Sequence, residues 1–329
     1  MIDRDAIGNL DQIASAIASV VANGPAAGCR ALDLRALDGI DVRLLPDRGF
    51  DAGAAWFRGV PLAWISPVGE HAPIDNPREL DWLRAFGGGL MVTCGLRNVG
   101  APSEGHGQHG ELSMQRAHVR AVERSERAIS ARARVAEVSA LGVHLEVERT
   151  WTTAVGEGRL ELVDVVRNRG REDEPVPQLY HVNLGAPVWS PGATLTLDAR
   201  ATHPRDEAAA PFADRWDEAP GVVAGADERV FEHEVVPGPD GWGSATVTSP
   251  AAGIELTVRW DLATLPRLWQ WVHPAPGMGV LGLEPANCSV LGRAADRAAG
   301  RLPVLRAGET RTTRLEILAR ALPRTGDVR

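Results

Sequence analysis

The sequence predicts an all-β protein, a large antiparallel sandwich or barrel with a few short helices. Three observations lead there. Many short segments alternate apolar and polar residues with period two, turn residues punctuate them, and nowhere do strands alternate with helices as in a parallel βαβ chain. The chain has 329 residues, 44% of them hydrophobic, enough to bury a sizeable core. With no fixed-period repeat and no long polar linker, one domain is expected over residues 1–329.

Taken in order, residues 30–45 (RALDLRALDGIDVRLL) alternate around Asp38-Gly39, a hairpin signal. Residues 116–122, 128–136, 141–151 and 159–168 continue the alternation. Later come ATLTLDA, SATVTS, GIELTVRW and TRTTRLEILAR, rich in Thr, Val, Ile and Leu. Helical periodicity is confined to residues 9–16, 77–86 and 292–299; the second has Pro77 at its start and Gly87 just past its end. Residues 201–228 read as a loop-like insertion crossing one face, where loops tend to carry function.

A net charge of -8 and a pI near 5.6 argue against nucleic acid as the main partner, and no basic run offsets them. All 35 basic side chains are Arg. Cys29, Cys94 and Cys288 are scattered and odd in number, which suits a reducing compartment. The N-terminus lacks the positive start of a signal peptide, and no window holds the roughly 18 apolar residues of a membrane helix. A cytoplasmic protein without a membrane partner is expected; oligomeric state is not legible.

Five segments place polar side chains where burial or tight turns are expected. In Pro46–Asp51, Arg48 lies between Asp47 and Asp51 beside a glycine; it could hold a substrate hydroxyl or form a salt-bridged surface turn. Gly87–Gly100 runs three glycines into a strand ending in Arg97-Asn98, without the Lys-Ser/Thr of a phosphate loop. Gly105–Glu111 holds His106, His109 and Glu111, suited to substrate contact, an ordinary loop or a metal. On 178–185, alternation puts His181 and Asn183 on one face, about 6–7 Å apart, and Tyr180 with Val182 on the other. Glu284 closes an apolar run before Pro285, where burial would raise its pKa and equip it as a general base. Upstream, Trp269 and Trp271 share a face and suit either sugar stacking or core filling.

Together the PDRGFD, GGG-MVTCGLRN-G, HGE, YHVNLG and GLEPAN segments, in order from residue 46 to 288, resemble the galactose mutarotase (aldose 1-epimerase) superfamily, and within it a bacterial aldose epimerase-like branch. The resemblance implies a β-sandwich with a sugar on a broad concave face. It implies His181 as general acid and Glu284 as general base. His109 would contact sugar hydroxyls, and so would Arg97 and Asn98, which reverse the family's Asn-Arg order. Arg48 and Asp51 belong to a branch motif, and Asp214 or Asp217 would orient the sugar. Substrate contacts are further expected from Asn183, Tyr180, Trp269 and Trp271. The implied function is interconversion of the anomers of an aldose or modified sugar, with a small carbohydrate as partner and no cofactor. Two alternatives remain open: a non-catalytic sugar-binding or sensing module, and a metal-assisted sugar isomerase or lyase using His106, His109 and Glu111.

Overall fold

The structure is a computed structural model that describes residues 4–323. Two large antiparallel sheets carry it. The first has eleven strands in the spatial order Ala14–Val20, Arg30–Ala36, Ile40–Leu45, Asp51–Phe57, Met91–Gly95, Gln178–Leu184, Val280–Ala286, Arg267–His273, Arg229–Val235 and Ala199–Pro204; Val60–Pro61 pairs beside Asp51–Phe57. The second has eight, in the order Thr194–Leu197, Trp242–Ser249, Ile254–Asp261, Thr310–Ala321, Arg159–Asn168, His144–Ala154, Ala128–Val138 and His118–Arg124. The fold is the all-β sandwich the sequence predicts.

The inner strands of the second sheet obey the period-two rule: Arg159–Asn168 alternates half-buried and buried residues, with one face turned to the core. The core between the sheets includes Leu34, Leu44, Val147, Leu162, Tyr180, Val182, Leu281 and Leu283. The central strands of the first sheet behave differently. Gln178–Leu184 and Val280–Ala286 are buried at every residue. Their odd and even side chains divide between two clusters. Tyr180, Val182, Leu281 and Leu283 face the second sheet, whereas Leu179, Val280 and Ala286 join Trp64, Trp82 and Phe86 in a cluster over the opposite face. Connecting segments therefore cover the outer face of the first sheet along these strands.

The Asp38-Gly39 hairpin joins Arg30–Ala36 to Ile40–Leu45, with Asp38 at φ 53°. Two expected helices are corrected. Over 9–16 only one turn forms, Leu10–Gln12, capped reciprocally by Asn9 and Gln12; Ala14 then enters an edge strand paired with Arg30–Ala36. The capping signal was real, but the small and β-branched residues that follow found a strand partner. Over 77–86 the helix is limited to Asp81–Arg84, while Arg293–Ala298 matches the third expectation. The first four residues of the 201–228 segment belong to the edge strand Ala199–Pro204; the rest holds one turn at Ala210–Phe212 and delivers Arg205 and Glu228 to the outer face described next.

Candidate active site

The register of the first sheet assembles two rows of side chains on its outer face. Leu179 pairs with Ala286 and Val182 with Leu283, which sets His181 opposite Glu284, and Glu284 pairs in turn with Trp269. The adjacent row runs Asn183, Gly282, Trp271. His181 Nε2 lies 3.2 Å from Glu284 Oε1, and the two residues are only 5% and 3% exposed. A Cβ on Gly282 would sit 2.8 Å from Glu284 Oε1 and 3.1 Å from His181 Cε1, so the absent side chain is what keeps the space around the pair open.

Burial dominates the electrostatics of this pair. It raises the Glu284 carboxyl to about 8, with Glu228 adding to the rise and Arg205 opposing it. It lowers His181 to about 3, with His109 adding to the fall. At neutral pH the site therefore sets an uncharged carboxyl against an uncharged imidazole, and the pair shares one mobile proton.

His109 reaches the site from the Gly105–Glu111 turn, at φ 58°. The Gly100 N–H donates to its Nδ1 at 3.3 Å, which leaves the proton of the neutral ring on Nε2 as a donor. Burial lowers its pKa to about 4 and keeps the ring uncharged at neutral pH. The imidazole packs 4.6 Å from the Trp82 ring and 6.2 Å from that of His181.

These groups line a cavity of about 570 Å³. Three aromatic rings form a wall beside the pair: Trp64 lies 5.7 Å from both Phe86 and Trp271, and Phe86 and Trp271 each lie 5.4 Å from His181. Arg205 and Glu228 also line it, 2.8 Å apart, and Glu228 accepts the Trp271 indole N–H at 2.9 Å. His181 Nδ1 and Gln108 Oε1 are buried and have no hydrogen-bond partner within the protein.

Of the residues expected at the site, the structure brings together Glu284, His181, His109 and Trp271 on the cavity wall. Others are used elsewhere. Tyr180 points into the core between the sheets, donating its hydroxyl to Asp164 at 2.8 Å and accepting from Gln178, on the face opposite His181. Arg48 spends its guanidinium on the backbone carbonyls of Ser113, His71 and Ala85. Asp51 accepts from the Thr93 amide and hydroxyl and pairs with the buried Arg149, which also clamps Asp164 at 2.6 Å. Asn98 bonds Ala101 O, Gly107 O and the Arg293 amide, and the Arg97 carbonyl accepts from the Arg293 side chain. Asn183 holds the Gly89 and His181 carbonyls, and Trp269 donates to Cys288 O from within the outer-face cluster. For Tyr180, Arg48, Asp51, Asn98 and Trp269 the polar side-chain atoms are thus committed within the protein, whereas Arg97 Nε and Asn183 Oδ1 are buried without a hydrogen-bond partner.

The alternative metal set does not form. Among the described residues, no three His, Cys, Asp or Glu side chains are placed to hold one ion; His109 of that set has its Nδ1 occupied by the Gly100 amide. Asp214 and Asp217 do not line the cavity; the same segment contributes Arg205 and Glu228 instead. Sequence reasoning missed those two, along with Trp64, Phe86 and Gln108. The one available signal was that 201–228 read as a loop crossing a face.

A family model described as a domain of unknown function (DUF4432) matches residues 26–319. No curated protein matches the chain in sequence. Solved structures do match in shape. One from Klebsiella pneumoniae subsp. pneumoniae, provisionally named an aldose 1-epimerase, superposes with a TM-score of 0.85 at 22% identity, over 96% of this chain and 88% of that one. A galactose mutarotase-like protein from Clostridium acetobutylicum gives 0.67 at 10% identity, over 94% and 100%. A Salmonella typhimurium protein provisionally named a mutarotase gives 0.61 at 9%, over 96% of each chain. At these identities the likeness is one of fold, and the fold is the galactose mutarotase-like sandwich. Among the described residues no helix is long and apolar enough to cross a membrane.

Proposed function

The chain belongs to the family described as a domain of unknown function (DUF4432), and within it we propose that this protein interconverts the anomers of an aldose by general acid–base catalysis. The observation that carries the reading is the His181–Glu284 pair, 3.2 Å apart and buried at a cavity with an aromatic wall. The sugar ring lies against Trp64, Phe86 and Trp271, with the His109 Nε2 proton directed to a hydroxyl. Seating the sugar shifts the shared proton from Glu284 to His181. Glu284 then takes the proton of the anomeric hydroxyl while His181 protonates the ring oxygen. The bond from the anomeric carbon to the ring oxygen breaks and a carbonyl forms. After the carbonyl end rotates, closure on its other face returns both protons.

The test is magnetisation exchange between α and β anomers by NMR over a panel of aldoses. Glu284→Gln and His181→Asn are each expected to slow exchange by roughly 100- to 10,000-fold, the usual worth of a positioned acid or base. Unchanged rates in both variants would overturn the assignment. Saturable sugar binding without exchange in the unaltered protein would make the cavity that of a binding module.

A further inference from the structure

We propose that the cavity selects an uncharged aldose bearing an apolar group, such as the methyl of a 6-deoxyhexose, at the end remote from its anomeric carbon. The inference rests on the acid–base reading above, since it takes the anomeric carbon to lie at the His181–Glu284 pair.

Charge is the first argument. Arg205 is the one Arg along the described cavity wall, in a chain without Lys. It is held by two carboxylates, Asp206 at 2.7 Å and Glu228 at 2.8 Å. A phosphate or uronic carboxylate would thus find the one Arg of the wall already matched, with Glu228 repelling it from the same wall.

The second argument is the scarcity of polar atoms free to bind. The Trp64 indole N–H is taken by Met278 O at 2.6 Å, that of Trp82 by Ser113 at 3.1 Å and that of Trp271 by Glu228. Ser66 donates to Phe86 O and accepts from the Val68 amide. The indoles therefore offer carbon faces only. Beyond the acid–base pair and the matched Arg205–Glu228 pair, the polar side chains left on the wall are His109, with its Nε2 proton, Gln108, with its unpartnered Oε1, and His273. A fully hydroxylated hexose brings more hydroxyls than these three side chains can pair, and one left desolvated in such a space is costly.

Position is the third. The pair is buried deep, whereas Leu80 and Leu83 are exposed on the same cavity's lining and so mark its mouth, with Val68 and Val290 also on the wall. Ring opening needs a free anomeric hydroxyl, so the apolar group has to sit at the other end of the sugar, toward these residues.

The experiment compares matched sugars in the exchange assay: 6-deoxy-D-glucose against D-glucose, L-fucose against L-galactose, and D-glucuronate and D-glucose 6-phosphate against D-glucose. A preference of at least about tenfold in kcat/KM for a 6-deoxy sugar over its parent is expected, the usual scale for one desolvated hydroxyl. The anions should be turned over slowest. Glu228→Gln, which frees Arg205 from one carboxylate, should raise the glucuronate rate relative to glucose. Equal or faster exchange of the parent hexoses or of the anions overturns the inference and leaves the acid–base reading intact. An unchanged glucuronate-to-glucose ratio in Glu228→Gln overturns the charge argument. Calorimetric binding of the same sugars separates the two levels: if none exchanges but the 6-deoxy sugars bind best, the mechanism fails and the ligand class stands.

Discussion

Glu284 and His181 are held uncharged by burial, and that gives the protein a pH signature at the level of single residues. The carboxyl of Glu284 is raised from 4.5 to about 8, so the folded state binds its proton more tightly than the unfolded chain does. Its contribution to stability is full below about pH 4.5 and is lost as pH rises through about 8. Glu284→Gln does not titrate. Its stability relative to the unaltered protein should therefore climb between pH 5 and 8, by up to about 1.4 kcal/mol for each step of one in pH, and level off above. Melting temperatures of the two proteins across that range check it. His181 is lowered to about 3, so its contribution is present above about 6.5 and lost as pH falls toward 3. His181→Asn should consequently lose less stability on acidification. For catalysis the competent form is the pair with one shared proton, bounded by those same two values. Anomer exchange is expected to hold a plateau from about pH 4 to 7 and fall above 8. A rate that instead drops below pH 6.5, the ordinary imidazole range, would contradict a shared proton.

Gln178–Leu184 shows, at the level of one element, how much of the site was legible. Period-two alternation assigned His181 to one face and Tyr180 with Val182 to the other, and the structure has that division. The expectation that Tyr180 meets the sugar ignored the same rule, because chain neighbours on a strand point to opposite faces. Arg48, Asp51 and Asn98 lie in buried hydrogen-bond networks away from the cavity lining, and a polar residue in apolar sequence marks such a network as readily as a ligand contact. Trp64 and Phe86 carry no local mark at all, since only long-range packing brings them beside His181. The neighbouring strand yields a sharper test. Gly282→Ala would drive a methyl to within 2.8 Å of Glu284 Oε1 and 3.1 Å of His181 Cε1. Displacing the pair by even 1 Å is expected to cost about 100-fold in exchange rate. Circular dichroism should remain that of the β-sandwich, and an unchanged rate would show that the pair does not work at this spacing.

Across the whole molecule, the two sheets are joined by more than apolar contact. Arg149 belongs to the second sheet and is fully buried; it binds Asp164 of that sheet, Asp51 and Thr93 of the first, and the Gly49 carbonyl between them. Arg149→Met would strand two carboxylates in the core and is expected to destabilise the fold by about 3–5 kcal/mol in equilibrium denaturation. A loss below about 1 kcal/mol would mean the cluster is not held as described. The ten tryptophans are distributed across the same architecture. Trp151 and Trp260 are sealed between the sheets, whereas Trp64, Trp82 and Trp271 border the cavity. The protein therefore carries cavity indoles and sealed core indoles without any label, beside an exposed Trp56 whose replacement by Phe removes the one exposed emitter. Sugar entry should change the emission of the cavity indoles and shield them from acrylamide, while the indoles between the sheets serve as an internal reference. A titration of intrinsic fluorescence would thus report occupancy of the cavity before any turnover is measured.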